Sequence, residues 1–345
     1  MTDADRRACR ELLRHGSKSF HAASLLLPPR VRHGASALYA FCRVADNAVD
    51  DEEPGATADS VGAVDRLERR LEAVYGDGPL DGPVDRAFRS VVSRNAIPRA
   101  IPAALLEGLR WDEQGRTYRE LTDLYDYAVR VGSTVGVMMT LVMGRRDATT
   151  LAAAAELGMA MQLTNIARDV GEDARRGRIY LPIRRLEEAG VNVEAWLEKP
   201  RFEPGIDSTV AWLLDDADRL YARSWEGISR LPAPSRPAIR AAALLYAEIG
   251  NEIRKAGLDS VSRRAWTSPG TKFRILSRAV TRSSPPKSAF PGAARGSGRV
   301  GSAHRSGGTF GTPLDSPTDA ARASAAGLVS AAANFQPGAG YEDRP

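Results

Sequence analysis

The stretch "LTNIARDVGEDARRGRIYLP", Leu163 to Pro182, holds Asp169 and Asp173 four residues apart, with Asn165, Arg168 and Arg178 close by. In a helix this spacing puts both carboxylates on one face, one turn apart. Like charges so placed repel, so the pair does not support the helix that carries it. It is either a solvated outer face or a set of groups aimed into an enclosed space. Leu163, Ile166 and Ala167 surround it, and the segment continues the alanine-rich run "TTLAAAAELGMAMQLTNIARDV" (Thr149 to Val170), whose small side chains allow close helix packing. These neighbours favour a cavity wall over an outer face.

Far upstream, "ALYAFCRVADNAVDDEEPG" repeats the device with Asp46 and Asp50, Asp51 beside them, and Leu38, Phe41, Cys42 and Ala45 before them. If the two helices face each other, four carboxylates converge on one space. Such a space needs cations, and a hard divalent ion with oxygen ligands is the natural occupant. Magnesium keeps waters and shares its shell with substrate phosphates, so a few carboxylates suffice. Arg43, Arg168, Arg175, Arg176 and Arg178 are placed to hold phosphate oxygens. Carboxylates, metal and arginines together imply ionisation of a diphosphate leaving group. The apolar remainder suits a long hydrocarbon, whose burial is worth roughly 0.8 kcal/mol per CH₂. Tyr39, Tyr127, Tyr180 and Tyr246 lie in apolar helical contexts. Each is either a core residue with a satisfied hydroxyl or a group that stabilises a carbocation or handles a proton.

The surrounding text is helical as well. "GAVDRLERRLEAVY" (Gly62 to Tyr75) lines up Val64, Leu67, Leu71 and Val74 at spacings of three and four. "STVAWLLDDADRLYARSWEGI" and "SRPAIRAAALLYAEIGNEIRKAG" read the same way, the latter with Pro237 in its first turn and Gly257 as its stop. No alternating β-branched run competes, so the expected class is all-α. Short proline-bearing connectors predict one domain over residues 1–280. Beyond about Thr281 the Ser/Pro/Gly/Ala-rich text predicts a disordered tail to residue 345, either a tether or an inert extension.

Bulk properties exclude several classes. Two cysteines, Cys9 and Cys42, give no disulfide framework and no CxxC metal knuckle. "VGVMMTLVM" (Val135 to Met143) is too short to span a bilayer and predicts a buried helix, and the amino-terminal text lacks a signal-peptide core. A cytoplasmic setting is expected. The formal charge is +5, of which residues 281–345 hold +3. The body is therefore nearly balanced, which argues against a nucleic-acid partner.

At this point the text resembles the squalene and phytoene synthase family, head-to-head prenyltransferases built on the isoprenoid synthase helical bundle with its central cavity. The likeness runs from "GSKSF" (Gly16 to Phe20) to "RRAWTSPGTKFRIL" (Arg263 to Leu276). "YAFCRVADNAVD" (Tyr39 to Asp50) looks like the first aspartate-rich signature and "QLTNIARDVGEDARRGRIYLP" (Gln162 to Pro182) like the second. The resemblance implies that Asp46 and Asp50, then Asp169 and Asp173, hold magnesium, or manganese in its place, with Asn165 and Gln162 as polar groups at the second site. It assigns Ser17, Lys18, Ser19, Arg43, Arg168 and one of Arg263 or Arg264 to diphosphate contacts, and Tyr39, Tyr127, Tyr180 and Tyr246 to the reaction centre.

Asn47 stands where the family often has a second aspartate, about 100° round the helix from Asp46 and off the ligating face. The implied reaction joins two prenyl diphosphates through a cyclopropyl diphosphate. The expected product is 15-cis-phytoene from geranylgeranyl diphosphate, in carotenoid biosynthesis and with no redox cofactor. The alternative is squalene, dehydrosqualene or hydroxysqualene from farnesyl diphosphate. Chain length is expected to be set among Val131 to Val142 and Leu157 to Ile166. The greasy substrates imply peripheral attachment to the inner face of a membrane, with a phytoene desaturase as a possible downstream partner.

Overall fold

The structure, a computed structural model, describes residues 1–50, 62–80, 82–286, 288–293 and 317–335. Its regular elements are all helical among the described residues. The first half of the chain gives α1 (Asp3–Gly16), α2 (Lys18–Ser24), α3 (Pro29–Asp50), α4 (Ala63–Tyr75), α5 (Pro83–Arg94), α6 (Ala100–Glu113) and α7 (Leu121–Ala128). One π turn (Val129–Ser133) joins α7 to α8 (Thr134–Val142), and the long α9 (Ala148–Arg175) follows. Short α10 (Ile183–Glu188) and α11 (Val193–Glu198) lead to α12 (Ile206–Ile228), α13 (Arg236–Lys255), α14 (Pro269–Thr281) and α15 (Pro317–Ala333).

Local chemistry sets the helix ends. Thr2 and Asp5 form a reciprocal capping box on α1, Asp147 accepts from the Thr150 N–H to cap α9, and Ser268 caps α14 ahead of Pro269. The stop expected at Gly257 is real, for its φ is +75°. The stripe Val64, Leu67, Leu71 and Val74 is buried as its spacing predicts.

The central element is α9, which packs against α8, α12, α13 and α15. Leu151, Ala155, Met159, Leu163, Ile166 and Val170 bury its apolar side, which leaves Gln162, Asn165, Arg168 and Asp169 on a different face. Its small residues let backbones touch. A Cβ on Gly158 would lie 2.3 Å from the Gly132 carbonyl oxygen in the π turn, so this crossing admits no side chain. The segment Val135 to Met143, read as a buried helix, is α8 with its C-cap.

The tail departs from expectation. Phe290 is buried and stacks on Tyr221 with centroids 5.6 Å apart, and the Gly292 N–H donates to Asp218 Oδ2 at 2.8 Å. Residues 317–333 form α15, which buries Ala320, Ala321, Ala325, Leu328 and Ala332. Arg322 Nε donates to Glu156 Oε1 at 2.8 Å, and Arg146 Nη1 donates to the Ala332 carbonyl at 2.8 Å. The disorder expected for residues 281–345 therefore does not hold over 288–293 and 317–335. Averaging over the Ser/Gly-rich text hid a short alanine segment with high helix propensity, whose small side chains match the alanine-rich surface of α9. Residues 281–286 are described too, with Trp225 Nε1 donating to the Ser283 carbonyl at 3.0 Å, whereas 287, 294–316 and 336–345 lie outside the described residues.

Truncation after residue 293 is expected to lower the melting temperature by about 5–10 °C, because it strips this cover and leaves Glu156 with Arg223 alone. A thermal melt that does not move would show that α15 adds nothing to the fold.

Candidate active site

Most of the side chains singled out in the sequence line one cavity of about 960 Å³, Arg176 and Arg178 among them. Ser17, Lys18 and Ser19 come from the α1–α2 junction, and Tyr39, Arg43, Asp46 and Asp50 from α3. Gln162, Asn165, Arg168, Asp169 and Asp173 come from α9, with Tyr127, Tyr180, Tyr246 and Arg264 completing the set. Asn47 is exposed and does not line the space, in keeping with its place on the helix. Asp51 lies outside the described residues.

The two acidic turns face the same end of the cavity, and arginines tie them together. Asp50 accepts from Arg176 Nη1 at 3.1 Å and from Arg178 Nη1 at 2.6 Å, which links α3 to the turn after α9. Asp169 accepts from Arg168 Nε at 2.8 Å and from Arg264 Nε at 2.7 Å. Arg264 reaches it because Gly171 lets the segment after α13 touch α9. The Gly171 N–H donates to the Ser260 carbonyl at 3.0 Å, and a Cβ there would meet the Val261 carbonyl oxygen at 2.1 Å. Of the two candidates in "RRAW", Arg264 is thus on the site, while Arg263 donates to the Ala256 carbonyl. Arg175 is a correction: it binds the Gly171 and Val261 carbonyls at 2.8 and 2.7 Å and holds the loop instead of lining the cavity.

The other two carboxylates lack such partners. Asp173 is raised to about 7 by enclosure and then by Asp169 and Glu172. Asp46 faces solvent within the cavity but has protein on every side, and enclosure with Asp50 nearby raises it to about 6. Burial opposes ionisation of Asp169 too, yet hydrogen bonds from Arg168 and Arg264 hold it below the usual range. No group of three acidic, histidine or cysteine side chains among the described residues is close enough to enclose a metal alone. The donor set is nevertheless hard oxygen, and Asn165 Oδ1 is buried with no protein partner beside Asp169. An open set of this kind fits an ion that completes its shell with water and phosphate oxygens.

A third feature was invisible in the sequence. Asp112, near the end of α6, accepts from Tyr180 OH at 2.7 Å and from Tyr127 OH at 3.0 Å. Tyr118, Tyr127 and Tyr180 cluster with ring centroids 5.1 to 6.0 Å apart. In the text Asp112 sits in "LRWDEQGR", which reads as an ordinary charged helix end, and no spacing rule links it to tyrosines 15 and 68 positions away. Burial raises its pKa to about 7, against the two tyrosine hydroxyls and Arg178, with Asp46 adding to the rise.

A raised carboxyl binds its proton more tightly folded than unfolded, so its share of stability is complete below 3.8 and is lost as pH rises towards about 7. Asp112→Asn is therefore expected to flatten the decline in melting temperature over that window. Parallel profiles for both proteins would show that Asp112 stays ionised.

The apolar part of the cavity runs along α9. Thr150 and Asp173 both line it and are 23 residues apart on that helix, roughly 35 Å at 1.5 Å per residue. The stretches expected to set depth, Val131 to Val142 and Leu157 to Ile166, do contribute Val131, Met139, Leu157 and Met161. Sequence reasoning missed the opposite wall, where Ile228, Leu231, Ile239 and Ala242 come from the α12–α13 region. Met143, Ile228 and Leu231 form a small buried cluster of their own, away from the charged end. Phe20 stacks on Tyr246 at 4.8 Å and meets Tyr39 edge-on at 6.2 Å, giving an aromatic wall near the charged end.

A family model for squalene/phytoene synthase matches residues 13–271. The phytoene synthase of Cereibacter sphaeroides is 50% identical over 287 residues, 82% of this chain and 81% of that one. That of Rhodobacter capsulatus is 49% identical over 81% of this chain and 82% of its own. Among solved structures, a dehydrosqualene synthase superposes with a TM-score of 0.71 at 32% identity, covering 81% of this chain and 96% of that one. The squalene synthase HpnC from Alicyclobacillus acidocaldarius gives a TM-score of 0.64 at 27% identity, over 74% of this chain and 94% of its own.

Proposed function

The chain belongs to the squalene/phytoene synthase family, and from that premise we propose that it joins two molecules of geranylgeranyl diphosphate head to head to give 15-cis-phytoene and two diphosphates. One observation carries the reading: a single helix, α9, presents carboxylates and an arginine at one end of a cavity and an apolar wall along the rest. The head of a prenyl diphosphate wants the first and its tail the second. The likeness to two phytoene synthases at 50 and 49% identity supports the C20 substrate.

Magnesium, or manganese in its place, belongs to this reading. Asp46, Asp50, Asp169 and Asp173 would hold it, with the unpartnered Asn165 Oδ1 as a further donor. When bound it supplies positive charge to the departing diphosphate.

The chain's own groups do the remaining work. Lys18, Arg43, Arg168 and Arg178, with Ser17, Ser19 and Gln162, orient the two diphosphates at the charged end. Arg176, Arg178 and Arg264 now neutralise Asp50 and Asp169, and turn to phosphate oxygens when the carboxylates are otherwise engaged. The apolar walls keep water from the allylic cation left at C1 of the donor. That cation attacks the C2–C3 double bond of the acceptor, proton loss closes the cyclopropane, and loss of the second diphosphate starts the rearrangement. Tyr39 and Tyr246 offer aromatic faces to the migrating charge. The final proton loss ends in an alkene without a hydride donor. We place this activity in carotenoid biosynthesis, on the cytoplasmic side of a membrane and next to a desaturase that takes up the product.

Labelled farnesyl and geranylgeranyl diphosphates, incubated with magnesium and with or without reduced nicotinamide, test the reading. The C20 substrate should be consumed to a C40 hydrocarbon, unchanged by nicotinamide. Preferential use of farnesyl diphosphate would assign the chain to squalene, dehydrosqualene or hydroxysqualene formation, as the likeness to a dehydrosqualene synthase allows.

A further inference from the structure

Between Asp259 and Asp315 the chain carries ten Lys or Arg and no acidic residue. This is a local excess in a protein whose body is almost balanced. Among the described residues, the run includes α14 and the segment of chain before it. Here the structure also exposes large apolar side chains: Trp266 is 71% exposed, Phe273 75% and Val280 56%. Phe273 and Val280 are seven residues apart on α14, two turns and about 10 Å along one face. Ile275 and Ala279 bury the opposite face, so α14 is anchored to the bundle and the outward residues are surplus to its packing. Leu25, at the end of α2 against which α14 packs, is exposed as well. Arg274 and Arg282 are exposed beside this face.

The patch borders the cavity. Arg264, Ala265, Trp266, Thr267 and Lys272 line the cavity, while Phe273 and Val280 do not. A partner seated on this face would therefore lie next to the entrance. Glu248 on α13 lies 4.0 Å from Arg274, and Glu252 and Asp259 share a small pocket with Trp266, but α14 itself carries cations and no acid. Exposed aromatic and aliphatic side chains set among such cations complement an anionic lipid surface, where the rings enter the interface and the guanidinium groups meet the headgroups. No helix among the described residues is long and apolar enough to cross a membrane, so attachment here would be through such a surface.

We propose that the outer face of α14, with Trp266, is the surface by which the chain sits on anionic bilayers, cavity mouth towards the lipid. This rests on the prenyl-diphosphate reading for its purpose, since a hydrocarbon product would pass from the cavity into the membrane without crossing water. The surface itself is read from exposure and charge alone.

The test uses the full chain with sedimenting vesicles of phosphatidylcholine, with and without phosphatidylglycerol. Wild type is expected to partition onto the anionic vesicles. Phe273→Ser/Val280→Ser should weaken this about tenfold or more, and Arg274→Gln/Arg282→Gln several-fold with loss of the salt dependence. Lipids brominated in the acyl chains should quench tryptophan emission in wild type and much less in Trp266→Phe. Neither double variant alters a cavity residue, so both should keep wild-type melting and wild-type turnover of detergent-dispersed substrate.

Equal vesicle binding by wild type and Phe273→Ser/Val280→Ser would overturn the proposal. So would absence of binding to either vesicle, or a concentration-dependent dimer abolished by the same variant, which would make a second copy the occupant. Failure of wild type to turn over detergent-dispersed geranylgeranyl diphosphate would instead strike the functional reading and leave the vesicle result standing.

Discussion

Asp173→Ala is expected to lower turnover by a factor on the order of 10³ while leaving the fold intact or slightly firmer. The two halves of this expectation have one cause. Asp173 sits one turn from Asp169 and beside Glu172, and enclosure together with those neighbours raises it to about 7. Without a cation it is a source of repulsion, so its removal relieves the resting protein. On the proposed reading the same charge would be needed opposite a metal ion and the leaving diphosphate, and the variant cannot replace it. Steady-state rates at saturating magnesium, together with circular dichroism, separate the two. A collapse of helix content would contradict the argument, and so would near-normal turnover. Asp50→Ala should lower turnover strongly as well, but it leaves Arg178 without its carboxylate partner and Arg176 with Glu172 alone. Both arginines reach Asp50 near the surface, where such pairs contribute about 0–1 kcal/mol, so the fold should again survive.

Gly158→Ala is expected to destabilise the protein by about 3 kcal/mol, a large effect for one methyl group. The added Cβ would meet the Gly132 carbonyl oxygen at 2.3 Å, its carbon at 2.7 Å and Ser133 Cα at 2.9 Å. These are backbone atoms of a π turn, which have no rotamer to move into. The clash must push α9 away from that turn, and Tyr127 lies just before the turn while Val131 and Gly132 line the cavity. Activity should fall with stability. Urea denaturation gives the first quantity and initial rates the second. Gly270→Ala is the control, because its methyl would meet nothing within 4 Å and should be neutral or slightly stabilising. Equal stability of Gly158→Ala and wild type would mean that the crossing is looser than its contacts state.

Much of the site was legible because it is written in short-range order. Asp46 with Asp50, and Asp169 with Asp173, are spaced by one helical turn, and a helix turns that spacing into a shared face wherever it sits. The apolar and alanine-rich neighbours marked those faces as inward. Asp112 was not legible, since its meaning depends on Tyr127 from α7 and Tyr180 from beyond α9. Nor could the sequence sort the arginines. Arg175, Arg176 and Arg178 look alike in "DARRGRIY", yet Arg175 ties down a loop and the other two reach across to Asp50.

By itself the sequence determined the helical class, the two acidic turns and the chemistry they can support, because periodicity and charge act over a few residues. Only the tertiary structure decided which wall closes the cavity, which arginine meets which carboxylate, that α15 covers α9, and that Trp266 and Phe273 remain outside. Those outcomes depend on contacts between residues far apart in the chain, and such contacts follow from how helices of given girth pack together, which no local pattern encodes.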